Sequence, residues 1–200
     1  MIRVVLVEDQ EMVRGALSAL LDIEDDLQVV ATARDGVDAM EQLRTTAADV
    51  VVTDVEMPRM DGIALCREAR AAHPGLRVLV LSTFARAGYL RRALDAGASG
   101  YLLKDSPANT LAAAVRAAMD GHKTIDPELA AAACTEPDPL TRREREVLRL
   151  AEVGASTEQM ASSMDLAEGT VRNYLSSAMG KLDARNRTEA AATARAKGWL

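Results

Sequence analysis

Five short apolar runs recur through the first 120 residues, spaced so that one helix fits between each pair. They are IRVVLV (2–7), LQVVATA (27–33), DVVVT (49–53), RVLVLS (77–82) and SGYLL (99–103). Each is rich in β-branched residues and too short to be a helix of its own. Helical patterns fill the intervals, over 12–21, 36–44, 62–71, 86–96 and 109–119. Strands alternating with helices of this length predict βαβ units, a parallel sheet and helices on both faces. Five of each is the count of the flavodoxin-like α/β fold, whose strand order is 2-1-3-4-5.

That order locates a site. Ligands of such sheets bind at the carboxyl ends of the strands, where the order switches, here between the first and third strands. The first strand ends in Glu8-Asp9 and the third in Asp54. The topology therefore predicts three carboxylates at one crevice. Like charges so placed repel and raise each other's pKa unless a cation neutralises them. An oxygen-only donor set suits a hard divalent cation, Mg²⁺ or Mn²⁺.

Residues 121–138, GHKTIDPELAAAACTEPD, break the alternation and carry no strand signal. They are read as a linker with a helical turn near 128–134. From Leu140 onward the pattern is helical only. Thr141 caps one helix, which Gly154 stops, and Ser156 caps a second that runs to about Met164. A third runs from about Glu168 to Leu182 and a fourth from about Thr188 to Lys197. A short helix, a three-residue turn (Asp165-Leu166-Ala167) and a longer helix form a helix-turn-helix candidate. The predicted division is 1–120, 121–138 and 139–200. Charge differs across it: 14 basic and 22 acidic residues before Pro139, 10 basic and 8 acidic after. That asymmetry suggests two domains with different partners, although a surplus of two positive charges does not by itself indicate nucleic acid.

No apolar run reaches the length of a membrane span, and MIRVVLVEDQ enters a strand pattern without a basic leader or cleavage site. A cytoplasmic protein with no membrane partner is expected. Cys66 and Cys134 fit no metal spacing and are read as idle thiols. His73 and His122 are read as surface residues.

The first 120 residues resemble a response-regulator receiver domain, through Glu8-Asp9, Asp54 in TDVEMPRMDG, Ser82, and Lys104 in GYLLKDSP. The last 62 resemble a helix-turn-helix domain of the LuxR type, also called the NarL or FixJ type. There the resemblance rests on LTRREREVLRLAEVGAS, MASSMDLAEGTVRNYLSSAMGKL and RNRTEAAATARAKGW. It implies a two-component regulator rather than a metabolic enzyme. Asp54 would take a phosphoryl group from a sensor histidine kinase. Asp9 would ligate Mg²⁺ directly, Glu8 would assist, and Asp54 with the backbone carbonyl of Glu56 would complete the protein ligands. Lys104 and the Ser82 hydroxyl would stabilise the phosphoryl oxygens, with Thr83 a competitor for Ser82. Tyr101 is either the family's switch aromatic or a half-buried sheet tyrosine. Residues 168–182 would form the recognition helix. Arg172, Asn173 and Ser176 would reach base edges, while Lys181, Arg185 and Arg187 would touch phosphates.

The second helix of that domain departs from the family pattern: STEQMA puts Glu158 near the expected DNA backbone, and Gln159 replaces a usual acid. Weak DNA binding by one subunit is therefore expected. A phosphorylation-driven homodimer on two half-sites would compensate. Candidate dimer faces are the helices of FARAGYLRRAL and of 107–119, with the first helix implied by the resemblance. Two rivals remain: a Mg²⁺-dependent aspartyl phosphotransferase or phosphatase, and a DNA-binding regulator that needs no phosphorylation.

Overall fold

The computed structural model describes the chain apart from Ala85, Glu136 and Pro137 and the side chains of Ala87, Ala108, Ala132, Ala133, Cys134 and Thr135. Cys134, one of the two thiols read from the sequence, thus has its side chain outside the described residues. The chain forms two compact units.

The first is a parallel sheet with helices on both faces. Its strands are β1 (Ile2–Val7), β2 (Leu27–Ala33), β3 (Val50–Asp54), β4 (Arg77–Ser82), β5 (Gly100–Leu103) and β6 (Thr124–Ile125). The order is β2-β1-β3-β4-β5-β6. The expected five-strand order is present, and a sixth strand extends it. β6 lies inside the stretch read as linker, and it pairs Thr124 with Gly100 and Ile125 with Tyr101. Two residues carry no readable period, which is why the sequence does not announce this strand. Along residues 1–135 the helices are α1 (Glu11–Asp22), α2 (Gly36–Thr45), α3 (Gly62–Ala72), α4 (Ala87–Asp95), α5 (Ala108–Met119) and α6 (Pro127–Thr135), with 86–89 and 133–135 grouped with the second unit.

Successive residues of a strand point to opposite faces. Val4, Leu6, Val50, Val52, Leu79, Leu81 and Leu102 share one face, in a single buried cluster with Leu21 of α1 and with Leu111 and Val115 of α5. Burial on both faces accounts for the unbroken apolar runs of β1 and β3.

The second unit is helical: α7 (Arg142–Glu152), α8 (Thr157–Met164), α9 (Glu168–Lys181) and α10 (Arg187–Ala196). Thr141 and Ser156 each form a capping box, with Glu144 and Gln159 as the reciprocal partners. Gln159, a departure from the family pattern, is thereby a working cap residue. Asp165 adopts a left-handed conformation (φ 54) at the end of α8 and opens the turn into α9. Val171 and Leu175 of α9 are buried against Val147 and Leu148 of α7, while Met179 and Leu182 are partly buried there.

Candidate functional site

The strand period decides what meets at the carboxyl edge of the sheet. Leu6, Val52 and Leu102 lie on the same face. Two residues further along each strand come Glu8, Asp54 and Lys104. The same parity that buries the leucines and valine therefore turns these three charges toward one point. Register agrees: Val7 pairs with Thr53, so Glu8 and Asp54 follow at the same level.

The contacts are short. Lys104 Nζ donates to Glu8 Oε2 at 2.6 Å and lies 3.0 Å from Asp54 Oδ1. Glu8 and Asp54 are buried, whereas Asp9 is exposed. One carboxylate oxygen from each of Glu8, Asp9 and Asp54 lies within 4.8 Å of the others. Opposed oxygen ligands of Mg²⁺ are about 4.2 Å apart. The span therefore suits a single hard cation with a small swing of the exposed Asp9 side chain. The donor set fits too, being all oxygen and strongly anionic.

Electrostatics mark Asp54 as unusual. Burial raises its pKa to about 6; Lys104 pulls it down, and Glu8 adds to the rise. For Lys104, burial is outweighed by the hydrogen bond it donates to Glu8 and by the charge of Asp54, so its pKa is raised. One ammonium is thus held between the two buried carboxyl groups. When ionised, Asp54 is a desolvated carboxylate with only part of its charge compensated, a state that a metal would relieve.

The surrounding backbone is fitted closely. A Cβ at Gly62 would stand 1.9 Å from the Asp54 carbonyl oxygen, so only glycine lets α3 begin here. Arg14 of α1 donates to the Glu8 carbonyl at 2.6 Å. Asp35 caps α2 and accepts Arg59 Nε at 2.6 Å. The sequence reading missed all three contacts, although the DG pairs at 35–36 and 61–62 were a visible signal of caps against close backbone.

Ser82 and Tyr101 alternate with Leu81 and Leu102, so they belong to the opposite face. The Ser82 hydroxyl is turned into its own loop, donating to Phe84 O and accepting from Phe84 N. Thr83 is exposed. Tyr101 is fully buried, at 0% exposure, deeper than the half-buried sheet tyrosine considered from sequence. Glu56 is exposed on the β3–α3 loop. The Cys66 thiol is buried and pushed up to about 11 by that burial, so it is inert. His73 and His122 are exposed.

In the helical unit, Arg172, Asn173 and Ser176 are all exposed on α9. Arg172 pairs with Glu168 one turn earlier, and Arg185 pairs with Glu189. Lys181 Nζ is engaged by the buried Glu144 Oε2 at 2.7 Å, and Ser177 Oγ donates to Glu144 Oε1 at 2.6 Å. Glu158 is exposed.

Residues 4–116 match the response regulator receiver domain, and residues 138–194 match bacterial regulatory proteins of the luxR family. The transcriptional regulatory protein DesR of Bacillus subtilis (strain 168) is 43% identical over 200 residues, all of both chains. The crystal structure of the response regulator ChrA of a heme-sensing two-component system is 39% identical, with TM-score 0.57 over 100% of this chain and 98% of that one. A complex of the two-component response regulator RcsB with DNA is 25% identical, with TM-score 0.69 over 97% and 98%.

Proposed function

The chain belongs to the two-component response regulators that join a receiver domain to a LuxR-family DNA-binding domain, and from that premise we propose that Asp54 is its phosphoacceptor. A sensor histidine kinase supplies the phosphoryl group. An Asp54 carboxylate oxygen bonds to phosphorus as the P–N bond of the kinase phosphohistidine breaks, and the imidazole leaves with the electron pair. The observation that carries this reading is the convergence of Glu8, Asp9, Asp54 and Lys104 at one crevice.

Asp9, Asp54 and the Glu56 carbonyl would hold Mg²⁺ or Mn²⁺, with Glu8 assisting. The metal, when bound, spreads the negative charge that builds on the transferring group. Lys104 then pairs with phosphoryl oxygens, and Ser82 turns its hydroxyl from Phe84 toward them. Tyr101 follows Ser82 on the same face. Transfer and later hydrolysis are self-catalysed in this reading, and metabolic turnover is not their purpose.

The receiver is assigned to 1–120 together with β6 (Thr124–Ile125), the rest of 121–138 to the connection, and 139–200 to the DNA-binding domain. Phosphorylation adds about −1.5 to −2 charges at the crevice and favours a homodimer. The dimer binds two half-sites. Arg172, Asn173 and Ser176 read bases, and Arg185, Arg187 and the free protons of Lys181 contact phosphates. RcsB has been solved as dimers on DNA, which supports this arrangement for a relative. No described helix is long and apolar enough to cross a membrane, in keeping with a cytoplasmic site of action.

The test is incubation of the full chain with a small phosphodonor, with Mg²⁺ or with chelator, followed by intact-mass measurement. One phosphoryl group is expected with Mg²⁺, and none with chelator or in Asp54→Ala. Equal labelling of Asp54→Ala would refute the assignment.

A further inference from the structure

Val55–Asp61, the stretch between Asp54 and α3, carries Glu56, whose carbonyl is the proposed metal ligand outside the acidic trio. Its ends are anchored: Val55 N donates to Leu81 O and Gly62 N to Val55 O, both at 3.0 Å. Its middle holds an oddity. Arg59 sits in the left-handed region, φ 60, with a side chain that disfavours that conformation. Something must compensate for the strain.

The compensation is visible. The Arg59 guanidinium reaches Asp35, where Nε donates to Oδ2 at 2.6 Å and Nη2 pairs with the same oxygen. Asp35 is 1% exposed. Its other oxygen, Oδ1, accepts Val37 N at 2.9 Å and Asp38 N at 3.0 Å, which starts α2. One carboxylate therefore binds both the start of α2 and the loop that follows the phosphoacceptor. Next to it Gly36 N donates to Met60 O at 3.1 Å. A Cβ at Gly36 would fall within 2.9 Å of the Met60 side chain, so the two segments already touch as closely as they can.

A buried charge with every acceptor lone pair committed is a rigid anchor. Asp35 is outside the acidic trio and touches none of its members in the contacts above. We propose that the Asp35–Arg59 pair is a latch that sets the β3–α3 loop in its metal-binding form before the ion arrives, making Arg59 a positioning residue for the Glu56 carbonyl. The inference rests on the metal reading given above. Supports of this kind keep a ligand group preorganised, and their removal weakens metal affinity more than the chemistry that follows.

Two explanations for Arg59 separate cleanly. If only the left-handed backbone mattered, glycine would serve at least as well, since it adopts that conformation freely. If the latch matters, Arg59→Gly relieves the strain yet frees the loop. The experiment uses the full chain as wild type, Arg59→Gly, Arg59→Lys and Asp35→Asn, the last retaining an α2 cap. Mg²⁺ affinity is measured by calorimetry, and the Mg²⁺ dependence of labelling by a small phosphodonor is measured alongside.

The latch predicts Mg²⁺ binding weaker by about 10-fold in Arg59→Gly and Asp35→Asn. Labelling at saturating Mg²⁺ should stay within about twofold of wild type, and Arg59→Lys should recover part of the loss. Wild-type binding with an unchanged Arg59→Gly would overturn the latch alone. So would equal loss of affinity and saturated rate, the sign of general loosening. A wild type that neither binds Mg²⁺ nor accepts the phosphoryl group would overturn the metal reading and the latch with it.

Discussion

Asp54 pairs an unfavourable position with a use for it. Its folded pKa of about 6 against an ordinary 3.8 corresponds to roughly 3 kcal/mol favouring the protonated form in the folded state. The folded state binds this proton more tightly than the unfolded one, so stability from this residue is present below about pH 4 and is lost as pH rises through 6. Asp54→Asn removes the titration. Without divalent metal, wild type and variant should be equally stable near pH 4, and the variant should be more stable, by up to about 3 kcal/mol, above pH 6. Urea unfolding across that range measures it. Mg²⁺ at 100 times its dissociation constant should then stabilise wild type by about 2.7 kcal/mol and leave the variant unmoved.

At the scale of elements, strand parity does most of the work and was legible. Alternation along β1, β3 and β5 fixes which residue follows Leu6, Val52 and Leu102 on their face, and these are three of the site's four charges. Strand order supplied the rest of the convergence. Contacts that depend on loop conformation were not legible. A left-handed Arg59 has no sequence signature, unlike a glycine or asparagine in its place. The family resemblance makes Lys181 a phosphate contact, but its ammonium reaches 37 residues back to Glu144. That pairing needs the packed bundle to exist. Burial raises the pKa of Glu144, yet Lys181, Ser177 and the Thr141 amide outweigh it and bring the value to about 2. The pair therefore stabilises the helical unit above the unfolded pKa of about 4.3 and is lost as pH falls toward 2. Glu144→Ala strands Lys181, Ser177 and the Thr141 amide together, at an expected cost of about 2–4 kcal/mol. Trp199, the one tryptophan, belongs to this unit's core. Its fluorescence during urea unfolding should report the loss.

For the molecule as a whole, the proposed charge change at the sheet edge drives assembly. The helical unit offers few uncommitted cations, since Arg172, Lys181 and Arg185 each have an acidic partner. Binding by one copy is expected to be weak, with a shallow salt dependence set by its few phosphate contacts. Sedimentation velocity should show a monomer that becomes a dimer with beryllofluoride and Mg²⁺. The dimer should prefer DNA carrying two half-sites about one helical turn apart. A chain that stays monomeric in both states and binds such DNA equally would remove dimerisation from the account.

The central claim is that Glu8, Asp9 and Asp54 form one cation site, and a crystal soaked in Mn²⁺ tests it most directly. The anomalous difference map should show one peak bonded to Asp9 and Asp54 oxygens and to the Glu56 carbonyl. A well-diffracting soaked crystal with no peak there, or with its peaks only elsewhere, would contradict the claim.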